Sequence, residues 1–390
     1  MELKEKILVY LYYLKELSIA ELCKSLAKST PIVTKAINEL LDQHIIADKG
    51  LAASTGGRRA ALYALNDDVD QLIVSISIDQ FYTSIHISNL RQEILYEQVD
   101  ILIDLNESVA GPKIIEALKM LINSHNVDKT KIIGIGISMP GFVNTPLGVN
   151  DSFADHEPIH HLKDLIEKEL NIPTIIDNDS RCVAWAEKEF GGGVDSTYTL
   201  VINLNWGVGL GIIINGEIFT GATGFAGEFS HIPLSNTNSL CSCGKRGCLE
   251  VEASLKSAIE QTEIAIQQGE YSIYSTLIKT MSNKNNALIE AAKKGDQLVI
   301  YNIGKIGFMI GKGISTLLHI LNPNKVIISG RGAEIGNILG PQIQNAINEF
   351  SIPRIAKMTE IEISGLHKTA QQKGTAALVV EHYINRILTN

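Results

Sequence analysis

The sequence predicts an α/β chain in three parts, a small mixed head followed by two related α/β lobes. Three observations predict it. The first 66 residues read as three helices and a glycine-rich hairpin. From about residue 70, three β-like segments are followed by alternating helix and strand, and the same order starts again near residue 197. A chain of 390 residues also exceeds the usual size of one hydrophobic core, so two or three domains are expected.

In the head, "LKEKILVYLYYLKE" places Leu3, Ile7, Leu8, Leu11 and Leu14 at helical spacing, one buried stripe. "SIAELCKSL" reads as a second helix with Ser18 as N-cap and Glu21 three residues on, a capping box. Cys23 falls on its inner face as a small core residue. After the break "AKST", Pro31 suits the first turn of a third helix, with Thr30 as its N-cap. A helix-turn-helix pattern results, and the exposed start of the third helix offers Thr30, Thr34, Lys35 and Asn38 for phosphate and base-edge contacts. The segment "IIADKGLAASTGGRRAALYAL" reads as a wing, with Arg58 and Arg59 forming a cationic tip suited to a minor groove. Residues 1–66 thus form a winged helix-turn-helix DNA-binding domain, with operator DNA as the expected partner.

After the linker "NDDVDQ" come "LIVSISI", "TSIHIS" and "EILYEQV", a helix at about 107–124, the strand "KIIGIGIS", a helix near 159–170, the strand "PTIID" and a further helix. The repeat begins with "TYTLVINL", "GLGIIIN" and "GEIFT", followed by helices, the strand "NKVIISG" and more helix. The expected lobes are residues 70–178 plus about 371–390, and 179–370, with a ligand in the cleft between them.

Three of the five cysteines, Cys241, Cys243 and Cys248, fall within eight residues, ten residues beyond His231. Four soft or borderline ligands make a closed tetrahedral set, and Gly244 and Gly247 let the chain fold back between them. A structural zinc ion is expected. A disulfide leaves one of three thiols over in a reducing compartment, and a redox thiol lowered by Lys245 and Arg246 is the other rival.

The two-lobed organisation resembles the actin-like ATPase (ribonuclease H-like) fold. At residue level the chain resembles the ROK family of repressors, open-reading-frame proteins and sugar kinases over essentially its whole length. The stretch from Glu228 to Glu250 matches the family signature Glu-x-x-His…Cys-x-Cys-Gly-x-x-Gly-Cys-Leu-Glu without an insertion. With the added head, the chain looks like the repressor branch. The resemblance implies a sugar pocket formed by Asn178, Asp179, Glu228, His231 and Glu250, with Gly136 and Gly141 in a loop lying against the sugar. Carboxylates, amide and imidazole suit polyol hydroxyls, while an N-cap is the ordinary role of Asn178. Two positions depart from the family pattern. Ser180-Arg181 follows Asp179 where Ala-Asn is usual, and "FADHEPI", with His156, replaces a sugar-contacting stretch.

The family's phosphate loop Asp-x-Gly-Gly-Thr is replaced here by "SIDQFYT", which puts Ser77, Asp79, Gln80 and Phe81 in the phosphate path. "NLNWGVGLGI" keeps Gly207, Gly209 and Gly211 but carries Trp206, and Arg331 replaces a glycine near the adenosine position. Asp179 therefore reads as a vestigial base. The resemblance implies a non-enzymatic repressor whose sugar or sugar-phosphate effector shifts the spacing of paired heads in a homodimer or homotetramer. The segment "IGKIGFMIGKGISTLLHIL" is a candidate interface. A sugar kinase with an added head is the rival, and a sugar-transport protein is the alternative effector.

A net charge of −9, with about +2 on residues 1–66, fits a nucleic-acid-binding head on an acidic body. No apolar run is long enough for a membrane span, and "MELKEKILVY" reads as no signal peptide, so a cytoplasmic location is expected.

Overall fold

The computed structural model describes residues 1–53, 59–235, 237–281 and 283–388. It divides into two compact units, one of Met1–Ser138, Gly148–Ile176 and Thr375–Asn390, the other of Met139–Leu147 and Asp177–Gly374.

The first unit opens with α1 (Leu3–Leu14), β1 (Glu16–Ser18), α2 (Ile19–Leu26), α3 (Thr30–Asp42), β2 (Ile46–Leu51) and β3 (Ala61–Leu65). The three strands form an antiparallel sheet in the order β1-β3-β2. Ile7, Leu8 and Leu11 of α1 pack with Leu22, Val33, Ile37 and Leu40, all almost fully buried. Each such side chain stabilises the fold by about 1.5–3 kcal/mol. The capping box is present, with Ser18 accepting from the Glu21 amide and Glu21 accepting from the Ser18 amide.

Four expectations for the head change. Ser29 rather than Thr30 is the N-cap of α3, so Thr30 is its first residue and Pro31 its second. Leu14 is exposed, because α1 ends there and Lys15 turns to positive φ. Cys23 is only half-buried, 3.8 Å from Thr30 Oγ1, so it is not a core residue. The stretch after β3 is anchored, with Asp67 bound by Lys49 and Arg91 and Asp70 bound by Lys131.

The first unit continues with β4 (Leu72–Ile78), β5 (Tyr82–Asn89), β6 (Ile94–Leu102), α4 (Ala110–Ser124) and β7 (Ile132–Met139). The two-residue strand β8 (Val143–Asn144) falls in the second unit, and the first resumes with the two-residue strand β9 (Val149–Asn150), α5 (Leu162–Leu170) and β10 (Thr174–Asn178). Its sheet has the order β10-β7-β4-β5-β6, with β4 antiparallel to β5 and parallel to β7. Apolar residues of α4 such as Ile114, Leu118 and Leu121 are buried, which is what an amphipathic crossover requires.

The second unit holds α6 (Asp179–Phe190), β11 (Tyr198–Leu204), β12 (Val208–Ile214), β13 (Glu217–Ile218), α7 (Glu250–Ala253), α8 (Leu255–Gln267), α9 (Tyr274–Thr280), α10 (Lys284–Lys293), α11 (Gln297–Leu321), β14 (Lys325–Ser329), α12 (Gly336–Phe350), α13 (Pro353–Ala356) and β15 (Glu360–Ile363). Its sheet runs β13-β12-β11-β14-β15. β8 and β9 belong to neither five-stranded sheet; among the strands of those two sheets, the third, second, first, fourth and fifth follow in that order in both, so the internal repeat read from the sequence is present. α11 lies against α12 within this unit. A Cβ at Gly311 would come 2.5 Å from the Ile343 carbonyl oxygen, and Ile303, Ile310 and Ile314 are buried. The face read as an oligomer interface is thus core along most of its length.

α14 (Thr369–Tyr383) closes the chain. Its residues from Thr375 pack on β7, where a Cβ at Gly136 would meet the Thr375 carbonyl oxygen at 2.7 Å. Gly136 is therefore a strand residue that admits a helix, and the expectation that it lies in a sugar-side loop is corrected.

Candidate functional site

β10 runs directly into α6, and the junction carries Asn178 and Asp179. Asn178 is the N-cap. Its Oδ1 accepts from the Ser180 and Arg181 amides at 2.9 and 3.3 Å, and its Nδ2 donates to Gly141 O at 3.1 Å. One amide hydrogen then remains to offer a ligand. Gly141 takes φ +103°, which a side chain would strain, and its carbonyl also accepts from the Val143 amide at 3.0 Å. Asp179 accepts from the Ser180 amide at 2.8 Å through Oδ1 and from Asn203 Nδ2 at 3.2 Å through Oδ2.

Glu228, His231 and Glu250 lie in the same unit. Gly227 positions the first, since its φ is +97° and a Cβ there would meet Leu210 O at 2.3 Å. His231 sits at the end of a single 3-10 turn, Phe229–His231. Its Nε2 is 3.7 Å from Glu228 Oε2, and its Nδ1 is 3.6 Å from Cys241 Sγ. Cys241 Sγ is also 3.5 Å from Glu250 Oε2. Burial of the Glu228 carboxyl pushes its pKa up to about 7, with Asp179 and Glu250 adding repulsion and Arg181 opposing it. Two-fifths of the whole side chain remains exposed, so water screens part of that repulsion. Three carboxylates and an imidazole therefore stand together, a set that accepts hydrogen bonds from hydroxyl groups.

Cys243 Sγ and Cys248 Sγ are 3.6 Å apart, and the ligand atoms of His231, Cys241, Cys243 and Cys248 all lie within 4.8 Å of one another. Bonds of about 2.3 Å to sulfur and 2.0–2.1 Å to nitrogen in a tetrahedron separate two sulfurs by about 3.8 Å, and sulfur from nitrogen by about 3.6 Å. The donor set and its spacing fit a closed tetrahedral site. None of these three cysteines is paired in a disulfide.

Two residues to which sequence reading gave no role in the site, Arg181 and Phe142, complete the cluster. Arg181 is buried. Its Nε donates to Asp177 Oδ1 at 2.6 Å, its Nη2 to Val143 O at 3.0 Å, and its Nη1 to Gly224 O. It ties the segments holding Gly141 and Glu228 to the start of α6. The signal for it was an acidic residue, Asp177, at the end of the apolar strand β10 and four residues before the arginine. Phe142 lies edge-on to Phe225 at 5.7 Å and 6.4 Å from the His231 ring, an apolar wall beside the polar groups.

The expected nucleotide-loop positions have structural roles. Asp79 closes the β4–β5 turn, accepting from the Phe81 amide at 3.1 Å, while its own amide donates to Tyr82 O at 2.8 Å. The Gly207 carbonyl accepts from Asn205 N at 3.0 Å in the β11–β12 turn. A Cβ at Gly209 or Gly211 would strike Ser180 or Ala184, so these glycines let α6 lie on β12. The Arg331 guanidinium donates to Asn286 Oδ1 at 2.8 Å.

In the head, Thr30, Lys35 and Asn38 are exposed along α3, and Thr34 is half-buried. Lys35 Nζ is 4.0 Å from Glu39. Arg59 Nε donates to Ala52 O at 2.8 Å across the hairpin, and Arg58 lies outside the described residues. Among the described residues, no helix is long and apolar enough to cross a membrane.

The ROK family profile matches residues 74–382. The chain is 28% identical to a putative xylose repressor of Caldicellulosiruptor sp. strain Rt8B.4, over 94% of this chain and 92% of that one. It is also 28% identical to the Escherichia coli K12 DNA-binding transcriptional dual regulator NagC, over 91% and 86% of the two chains. The crystal structure of a ROK family transcriptional regulator, a homologue of the E. coli MLC protein, superposes with a TM-score of 0.76 at 25% identity, covering 99% of both chains. A ROK glucokinase from Streptomyces griseus, in complex with glucose and AMPPNP, shares the fold with a TM-score of 0.66 at 22% identity, over 79% of this chain and 98% of that one.

Proposed function

The chain belongs to the ROK family, and from that premise we propose that it is a sugar-responsive, DNA-binding transcriptional repressor of carbohydrate metabolism. The observation that carries this reading is the Asn178, Asp179, Glu228, His231 and Glu250 group, set beside a Cys3His cluster in a chain that also has a helix-turn-helix head with a β-hairpin. Relatives of matching length named as xylose repressor and NagC support it.

His231, Cys241, Cys243 and Cys248 hold a structural zinc ion in this reading, which supplies a fixed cross-link and no open coordination position. With Nδ1 facing the cysteines, the His231 ring presents Nε2 to Glu228, so the cluster sets the orientation of a sugar-binding imidazole. Glu228, Glu250 and Asp179 accept from sugar hydroxyls, Asn178 donates its remaining amide hydrogen, and Gly141 is held in place by Asn178.

The absence of phosphoryl transfer belongs to the same reading. The β4–β5 turn is closed by an aspartate and flanked by Gln80 and Phe81, where the family's kinases carry glycines, and Arg331 fills the position of another glycine. Asp179 is then a sugar contact. A dimer or tetramer presents paired heads to a near-palindromic operator, with Thr30, Thr34, Lys35 and Asn38 on α3 and Arg58 and Arg59 on the wing. Sugar alters DNA affinity only if it binds the DNA-competent and released states with different strength. A cytoplasmic location goes with this function, and a sugar-transport protein is the alternative effector.

The test is calorimetry of the full chain with glucose, N-acetylglucosamine, xylose and their phosphates, alongside an ATP-consumption assay. One sugar class binds, Glu228→Gln and Asn178→Ala lose that binding, and ATP is not consumed. Sugar-dependent ATP consumption that Asp179→Asn abolishes would establish the kinase reading in its place.

A further inference from the structure

The first unit carries a second group of metal-ligating side chains, separate in sequence from the cysteine cluster. Asp155, His160 and His161 offer ligand atoms within 4.8 Å of one another. Asp155 Oδ1 is 3.6 Å from His160 Nε2 and 3.2 Å from His161 Nε2. An ion bound to nitrogen and oxygen at about 2.1 Å in tetrahedral geometry separates its ligands by about 3.4 Å, so the spacing suits one.

The hydrogen bonding of His160 points the same way. Its Nδ1 is 3.1 Å from the Phe153 carbonyl oxygen, which can only accept, so Nδ1 carries the hydrogen. In the neutral ring, Nε2 then presents a lone pair toward a carboxylate oxygen, and two acceptors face each other. An imidazole anchored through Nδ1 to a backbone carbonyl, with Nε2 turned to a carboxylate, is the arrangement that orients metal-binding histidines. His160 is only 7% exposed, so its ring has little room to turn away. The His161 ring packs edge-on against it at 4.4 Å; in the neutral ring its Nε2, 3.1 Å from the Asp155 carbonyl oxygen, donates its hydrogen there, so metal binding moves that hydrogen to Nδ1 and frees the Nε2 lone pair. The surrounding segment is closed on itself, with Asn150 N donating to His160 O and Ala154 N to Glu157 Oε2.

We propose that Asp155, His160 and His161 bind a divalent transition-metal ion of the zinc class, cross-linking residues 150–161. Two imidazoles and one carboxylate favour such an ion over magnesium or calcium, which take oxygen ligands. The competing occupant is a proton on one of the rings, which makes the group a plain ion pair.

Metal content of the full chain, equilibrated with buffered zinc and separated from free metal, distinguishes the two. Wild type holds one more zinc per chain than Asp155→Asn or His161→Gln, about two against about one. Asp155 is almost fully exposed, so its variant folds normally. Cobalt substitution keeps the two sites apart, because only the cysteine site gives a thiolate-to-metal charge-transfer band. That band is unchanged in both variants. Equal metal content in wild type and both variants, whatever its value, would overturn the proposal.

Discussion

Asn178 shows how one residue serves fold and site together. Its Oδ1 caps α6 and its Nδ2 holds Gly141, so Asn178→Ala removes both. Loss of stability of about 1 kcal/mol is expected in urea unfolding, as for other N-cap deletions. Asn178→Asp keeps the cap but turns a carboxylate toward Gly141 O, and it retains more stability than alanine. Equal loss in the two variants would show that the cap is not the stabilising element. Glu187 of α6 makes a different prediction. It is fully buried, accepts from Ser329 Oγ at 2.6 Å and from Ser364 Oγ, and burial raises its pKa above the ordinary 4.5 despite these hydrogen bonds. The folded state thus keeps this proton to higher pH than the unfolded chain does. Its contribution to stability is full below pH 4.5 and falls as pH rises through the folded pKa. Glu187→Gln removes that decline, so the difference in unfolding midpoint between variant and wild type grows in the variant's favour as pH is raised from 4 toward neutrality. A difference independent of pH contradicts the assignment. Local spacing made His231 and the cysteines legible in the sequence. Arg181 was not legible as a tie between segments, because its acceptors at Val143 and Gly224 are distant along the chain.

At the scale of elements, signals written within a few residues were readable. The capping box at Ser18 and Glu21 and the apolar runs of β4, β7, β11 and β14 are of this kind. β15 was missed, since Glu360–Ile363 is four residues with alternate charges and takes its place by pairing in parallel with β14. Gly136 was misread because a glycine in a strand looks the same in sequence whether a ligand or a helix approaches it. Here α14 approaches. Gly136→Ala forces a methyl group against Thr375 and costs about 1–3 kcal/mol on chemical denaturation. Sugar affinity of the folded fraction is unchanged by it. A variant of full stability and weakened sugar binding would restore the loop reading.

At the scale of the whole molecule, the repeated strand order was legible because three β-like segments followed by alternating helix and strand occur twice in the chain. The central claim is that one chain reads both an operator and a sugar. Replacing Arg58 and Arg59 with alanine should weaken DNA binding and flatten its dependence on salt, since each lost phosphate contact lowers the slope of log affinity against log salt by about 0.9. An unchanged slope would remove the wing from the interface. The most direct test selects binding sequences from random DNA with the full chain, then measures affinity for the selected site by fluorescence anisotropy with and without each sugar and sugar phosphate. The account predicts a near-palindromic site and one sugar class that changes affinity by about tenfold or more, an effect lost in Glu228→Gln. No sequence preference, or an affinity that none of the sugars alters, would contradict it.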